Sequence, residues 1–202
     1  MDKNRLEAFS DGVFAIAITL LVLEIHVPEA PEGRLWSALV EQWPSYVAYL
    51  VSFLVIGIIW VNHHRLFRSV ARADATLLFL NLLLLLFVAI LPFPTALLAE
   101  YIRVPGDAST AAAVYSATML CMAISFQLLW RWIARSAGLL HAHIDAATAR
   151  VTVRGSVGIF IYAGTVGLSF VSAVWTLAVH GILALYYMVD QIAVSEAPIE
   201  RD

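Results

Sequence analysis

Arg5-Leu-Glu-Ala-Phe-Ser-Asp11 runs directly into Gly12-Val-Phe-Ala-Ile-Ala-Ile-Thr-Leu-Leu-Val-Leu-Glu24. A charged and hydroxylic cluster thus stands at the mouth of an apolar helix. At helical rise, the uninterrupted apolar run Val13–Leu23 spans roughly 16 Å, against a hydrocarbon core of ~30 Å. To cross a bilayer, this helix must carry Ser10, Asp11 or Glu24 into or near the membrane. Such groups are costly against lipid and tolerated where protein or water surrounds them. The first helix is therefore expected to be enclosed by protein or to line a water-filled path.

The rest of the chain has the composition of a membrane protein. Of its 202 residues, 61% are hydrophobic and 13% charged, and the mean hydropathy is +0.84. A soluble domain carries about 25% charged residues. Apolar stretches of spanning length recur from end to end: Leu6–Val27, Trp43–Phe67, Ala75–Ala99, Thr110–Ala134, Val151–Val171 and Trp175–Val194. The expected fold is an all-α integral membrane protein of six transmembrane helices. Residues 1–195 form one membrane domain and 196–202 a short tail. The first stretch lacks a cleavage-like Ala-x-Ala and is read as a membrane helix, not a signal peptide. The single cysteine, Cys121, excludes an intrachain disulfide or a cysteine-based metal site and suits a small buried hydrophobe.

Basic residues set the orientation. Lys3, Arg5, Arg65, Arg68, Arg72, Arg131, Arg135, Arg150, Arg154 and Arg201 fall on one side, and only Arg34 and Arg103 on the other. Both termini are expected to be cytoplasmic. The outer side carries Glu24, Glu29, Glu32, Glu41, Glu100 and Asp107. That excess would concentrate cations at an entrance, or it simply reflects depletion of Lys and Arg there. Pro92 and Pro94 are expected to kink or end the third helix. Gly155, Gly158, Gly164 and Gly167 would thin the fifth, and Ala111–Ala113 the fourth, for close packing.

Helical residues advance about 100° each, so with Ile16 at zero Leu20 lies near +40°, Leu23 near −20° and Thr19 near −60°. These residues form a narrow stripe, which either packs against other helices or faces a pore. Asp11 falls at about 220°, well off the stripe. It is expected to meet a neighbouring helix, with His63, His64 and Arg65 as candidates, or to serve with Ser10 as an N-terminal cap. His63 and His64 point about 100° apart and suit one metal poorly. Asn81, inside the run Leu77–Leu91, needs a partner on an adjacent helix or subunit. Gln127 and His180 read as structural, and Trp130, Arg131 and Trp132 as an interfacial belt. No metal centre and no nucleophile–base pair is evident, so an enzyme is not expected. No nucleic-acid partner is expected either.

Three groups of residues together resemble the transmembrane protein 175 family of potassium channels. Arg5-x-x-x-Phe9-Ser10-Asp11 opens the first helix, and Trp60-x-x-His63-x-Arg65-Leu66-Phe67 closes the second. In the third, Asn81 and five leucines lead to Leu91-Pro-Phe-Pro94. The family is known from animal endosomes and lysosomes and from prokaryotic membranes. Animal members carry two six-helix repeats, so this chain is similar to the single-repeat prokaryotic form. The resemblance implies a homotetramer around the first helices, in a prokaryotic cell membrane. It places Ile16 at an apolar constriction, with Thr19, Leu20 and Leu23 as further pore layers. It also implies that Arg5, Ser10 and Asp11 join His63 and Asn81 in a hydrogen-bond network that fixes the pore helices, with Phe9 part of the same motif.

The expected activity is passive, potassium-preferring cation transport with no cofactor, K⁺ being only the permeant ion. The chain has no Thr-Val-Gly-Tyr-Gly filter, so selection would come from partial dehydration in a narrow apolar ring. Proton conduction or proton gating through His63, His64 and Asp11 is the alternative. A secondary transporter is a weaker one, since no inverted repeat is visible.

Overall fold

The computed structural model describes residues 3–136, 139–140 and 158–195. Among these residues the secondary structure is helical, apart from an isolated antiparallel bridge between Val70 and Leu140. Helix α1, Lys3–Leu20, continues as one 3₁₀ turn over Leu21–Glu24. Next come α2, Leu35–Glu41, and α3, Trp43–Ser69. Helices α4, Ala75–Ile90, and α5, Pro92–Tyr101, share one span. They are followed by α6, Ala108–Arg135, α7, Gly158–Ser169, and α8, Ala173–Ser195.

Four segments are long and apolar enough to cross a bilayer: Lys3–Glu24, Trp43–Ser69, Ala75–Tyr101 and Ala108–Arg135. The chain is an integral membrane protein. Shorter apolar helices cover Gly158–Ser169 and Ala173–Val189. The start of the expected fifth span, residues 151–157, lies outside the described residues. So do Arg150, Arg154, Gly155, Arg201 and the tail 196–202. Hydropathy did not indicate α2, a seven-residue helix between the first two spanning segments.

Proline chemistry breaks the third span where the sequence placed the break. Pro92 and Pro94 have no N–H to give to Val88 and Ile90, so the α-helical ladder stops. Leu91 N–H bonds Val88 O at 3.3 Å instead, and α5 restarts with Pro92 in its first turn. The other end of α4 is held by Asp74. Its Oδ1 accepts from Leu77 N–H at 2.8 Å, the geometry of an N-cap. Both carboxylate oxygens also lie 3.2 Å from the Trp132 Nε1 donor on α6. Asp74→Ala removes the cap and the tie together. It is expected to destabilise the fold by about 1–2 kcal/mol, read as a lowered melting temperature in detergent.

Helix α1 lies against α3 and α4, and its 3₁₀ turn rests on α3 and α5. Helix α6 lies against α4, α5 and α8, while α8 also packs on α3. Small residues permit two of these approaches. A Cβ at Gly158 would meet Tyr187 Oη at 3.3 Å, and one at Gly181 would meet Val51 Cγ2 at 3.3 Å. Gly164 and Gly167 have open space beside them, so the expected thinning of α7 within the subunit is confined, in the described part, to Gly158. Ala111 and Ala112 are buried in α6. Trp130 is also buried, so of the expected belt only Arg131 and Trp132 reach the surface.

Candidate ion path along the first helix

Two faces of α1 have different chemistry. Leu6, Ser10, Phe14, Ala17 and Leu21 recur every three or four residues and are buried against the chain's own helices. Ile16, Leu20 and Leu23 are centred about 110° round the helix from that face and are 61%, 41% and 66% exposed. Thr19 is exposed beside them. The chain itself thus leaves this stripe uncovered. Phe9 and Arg5 are exposed too and lie at bearings of about +20° and −20° from Ile16, about two and three turns towards the N-terminus.

The 3₁₀ turn alters the stripe's upper end. Residues three apart eclipse in a 3₁₀ helix, and each rises about 2.0 Å. Leu23 is therefore drawn from its α-helical bearing towards that of Leu20, and the two side chains stand one above the other. Thr19 Oγ1 lies 2.9 Å from both Ala15 O and Ile16 O, so its proton is given back to its own helix.

The buried face holds a polar chain whose direction is fixed. Ser10 Oγ donates to Leu6 O at 2.9 Å. Having spent its only proton, it accepts from Asn81 Nδ2 at 2.9 Å. Asn81 Oδ1 is left to accept from His63 Nε2 at 2.8 Å. A neutral His63 therefore carries its proton on Nε2. Ser10, His63 and Asn81 are all buried, and His63 is further wedged between the rings of Phe14 and Phe67, at 5.4 Å and 4.3 Å. The chain joins α1, α3 and α4 at one depth.

Asp11 does meet another helix, but through Trp60, which the sequence reading did not consider. Trp60 Nε1 donates to Asp11 Oδ1 at 2.9 Å. Trp60 precedes His64 by one turn and stacks on it at 6.4 Å. An aromatic N–H at this depth holds the carboxylate without placing a second charge beside it. Arg5 and Phe9 are not brought into the Ser10–Asn81–His63 chain. Among the described residues, no group of His, Cys, Asp or Glu is placed to hold a metal ion.

Sequence reasoning also missed a second polar cluster, between α3, α5 and α6. Ser52 of α3 lies 2.8 Å from Thr95 Oγ1 and 3.0 Å from Tyr115 Oη. Next to it, Ser116 meets His180 Nε2 at 3.0 Å. Serine and threonine in apolar helices usually bond their own backbone, so neither residue announced a partner on another helix.

The chain is similar to known proteins in sequence and fold. Residues 5–92 match the family described as endosomal/lysosomal potassium channel TMEM175. A Streptomyces collinus protein named a potassium channel is 57% identical over 195 residues, 96% of this chain and 95% of that one. The human protein named endosomal/lysosomal proton channel TMEM175 is 39% identical over 140 residues, 64% of this chain and 28% of that one. The crystal structure of a Chamaesiphon minutus protein superposes with a TM-score of 0.83 at 45% identity. The match to this homolog of the lysosomal potassium-selective channel TMEM175 covers 93% of this chain and 97% of that one. From the motif over the first spans to near full-length likeness, the chain belongs to the TMEM175 family of ion channels.

Proposed function

We propose that this protein is one subunit of a passive, potassium-preferring cation channel. Four copies, each with six spans and cytoplasmic termini, surround a pore lined by α1 in a bacterial membrane. The supporting observation is the stripe of Ile16, Thr19, Leu20 and Leu23, left uncovered by a helix whose other face is held by Ser10, Asn81 and His63. A cyclic assembly would turn one such stripe into closed rings. The bacterial relatives named potassium channels point to the ion.

Rings of Ile16, Leu20 and Leu23 make a dry constriction. An ion passing it sheds or thins its hydration shell, and K⁺ is less strongly hydrated than Na⁺. The more weakly hydrated ion therefore meets the lower barrier, and the same rings gate by dewetting. Thr19 oxygens replace part of the lost shell. The supporting chain and the Asp11–Trp60 bond keep each helix at one rotation, so all four stripes point at the axis.

Purified protein in liposomes, assayed separately for K⁺, Na⁺ and H⁺ flux, tests the reading. Potassium flux above that of sodium, lost in protein-free vesicles, is the expected result. A second reading, proton conduction, is favoured by the animal relatives named proton channels. A pH jump without K⁺ separates them: rapid equilibration of protons, with no K⁺ flux in the paired assay, selects the second.

A further inference from the structure

The second polar cluster has an unambiguous direction. Thr95 Oγ1 lies 2.8 Å from Leu91 O and donates to it. Its proton being committed, Thr95 Oγ1 accepts from Ser52 Oγ at 2.8 Å. Ser52 has then used its own proton and accepts from Tyr115 Oη at 3.0 Å. One donor chain therefore runs from Tyr115 through Ser52 and Thr95 to the Leu91 carbonyl, since each hydroxyl has a single proton. Ser52, Thr95 and Tyr115 are all buried, and the chain links α6, α3 and α5.

Its position is the informative part. Leu91 is the residue at which α4 breaks and α5 restarts, so its carbonyl marks the joint of the third span. Helix α5 is short, free of the α4 ladder, and tied laterally to α3 by this chain. The 3₁₀ turn Leu21–Glu24, directly after Leu20, rests on these same two helices. Ser52 and Thr95 thus hold together the two walls behind the tip of α1.

We propose that Ser52, Thr95 and Tyr115 are positioning residues for ion selection: their ordered hydroxyl chain fixes α5 against α3 and so sets the width of the constriction at Leu20 and Leu23. This rests on the pore reading of α1. Without the chain, α5 turns about the Leu91 joint, the 3₁₀ turn loses a fixed backing, and the ring at Leu20 and Leu23 loosens. A looser ring removes less of each ion's shell and discriminates less between K⁺ and Na⁺.

The test uses full-length protein in planar bilayers, with melting temperature measured in parallel. Ser52→Ala and Thr95→Val are expected to reduce the K⁺/Na⁺ permeability ratio by about threefold, the scale of one lost hydrogen bond. Thr95→Ser keeps the hydroxyl and is expected to retain the parent ratio. Tyr115→Phe leaves Ser52 donating to Thr95, so a smaller shift in the same direction is expected. It also serves if the other two do not assemble, because an unchanged ratio in Tyr115→Phe would then overturn the proposal. Ile16→Asn is run alongside. If it alters the currents while Ser52→Ala and Thr95→Val keep the parent ratio, whatever their melting temperatures, the positioning role is wrong and the pore reading stands. If Ile16→Asn is also silent, the pore reading fails and takes the positioning role with it.

Discussion

Asn in place of Ile16, Leu20 or Leu23 is expected to raise the K⁺ current about tenfold, or to change the K⁺ over Na⁺ preference, at little expense of stability. These side chains are exposed on the subunit, so truncating their apolar contacts leaves the core intact, and such substitutions usually stay within about 0.5 kcal/mol. In a closed ring each substitution is made once per subunit. Four amides in place of four alkyl groups let water remain in the constriction, and a barrier lowered by ~1.4 kcal/mol multiplies passage about tenfold. In the proposed pore, Leu20 and Leu23, brought to similar bearings by the 3₁₀ turn, would act as one thickened ring. Replacing both is expected to exceed either single change. Single-channel recording with bi-ionic reversal potentials is the measurement. Parent currents and reversal potentials in all three single variants would sink the assignment of this stripe to the pore.

The second large effect falls on folding. Asn81→Leu leaves the His63 Nε2–H and a Ser10 lone pair unpaired in the membrane interior. Each buried group stripped of its partner costs about 1–3 kcal/mol, so a loss of ~3 kcal/mol or more per subunit is expected. Melting temperature and the fraction eluting as assembled protein should both fall sharply. Adding Ser10→Ala to Asn81→Leu is expected to restore part of the loss, because the unmatched acceptor disappears while the wall around it stays apolar. A single Asn81→Leu variant that melts with the parent protein would contradict this account.

Hydropathy located the four segments long enough to cross a bilayer, because its thickness dictates a length of apolar chain, and the α4–α5 break followed from two prolines that cannot donate. The 100° advance grouped Ile16, Thr19, Leu20 and Leu23 on one face of α1 but left open whether that face packs or stays uncovered, and only the packing of Leu6, Ser10, Phe14 and Ala17 against the other helices shows which. What escaped depends on distant parts of the chain meeting. Trp60 stood in the sequence only as the start of the motif that closes the second helix, and its indole N–H became the partner of Asp11 only once α1 and α3 were side by side. Ser52 and Thr95 gave no local sign of each other, 43 residues apart. Nothing in Leu21–Glu24 distinguishes a 3₁₀ turn from another α-helical one, since the choice is made by α3 and α5 beneath it.

Thr19 deserves a last reckoning in terms of sign. Its only hydroxyl proton is turned back to the carbonyls of Ala15 and Ile16. The oxygen that remains outward has lone pairs and nothing to donate. In the fourfold channel proposed above, these oxygens form a collar that can only accept. An anion arriving there finds repelling electron density and no N–H or O–H to bind. A bare or half-stripped cation finds ligands. The collar thereby turns chloride away without a formal charge of its own, and, because neutral ligands hold a cation weakly, it also releases the ion it admits.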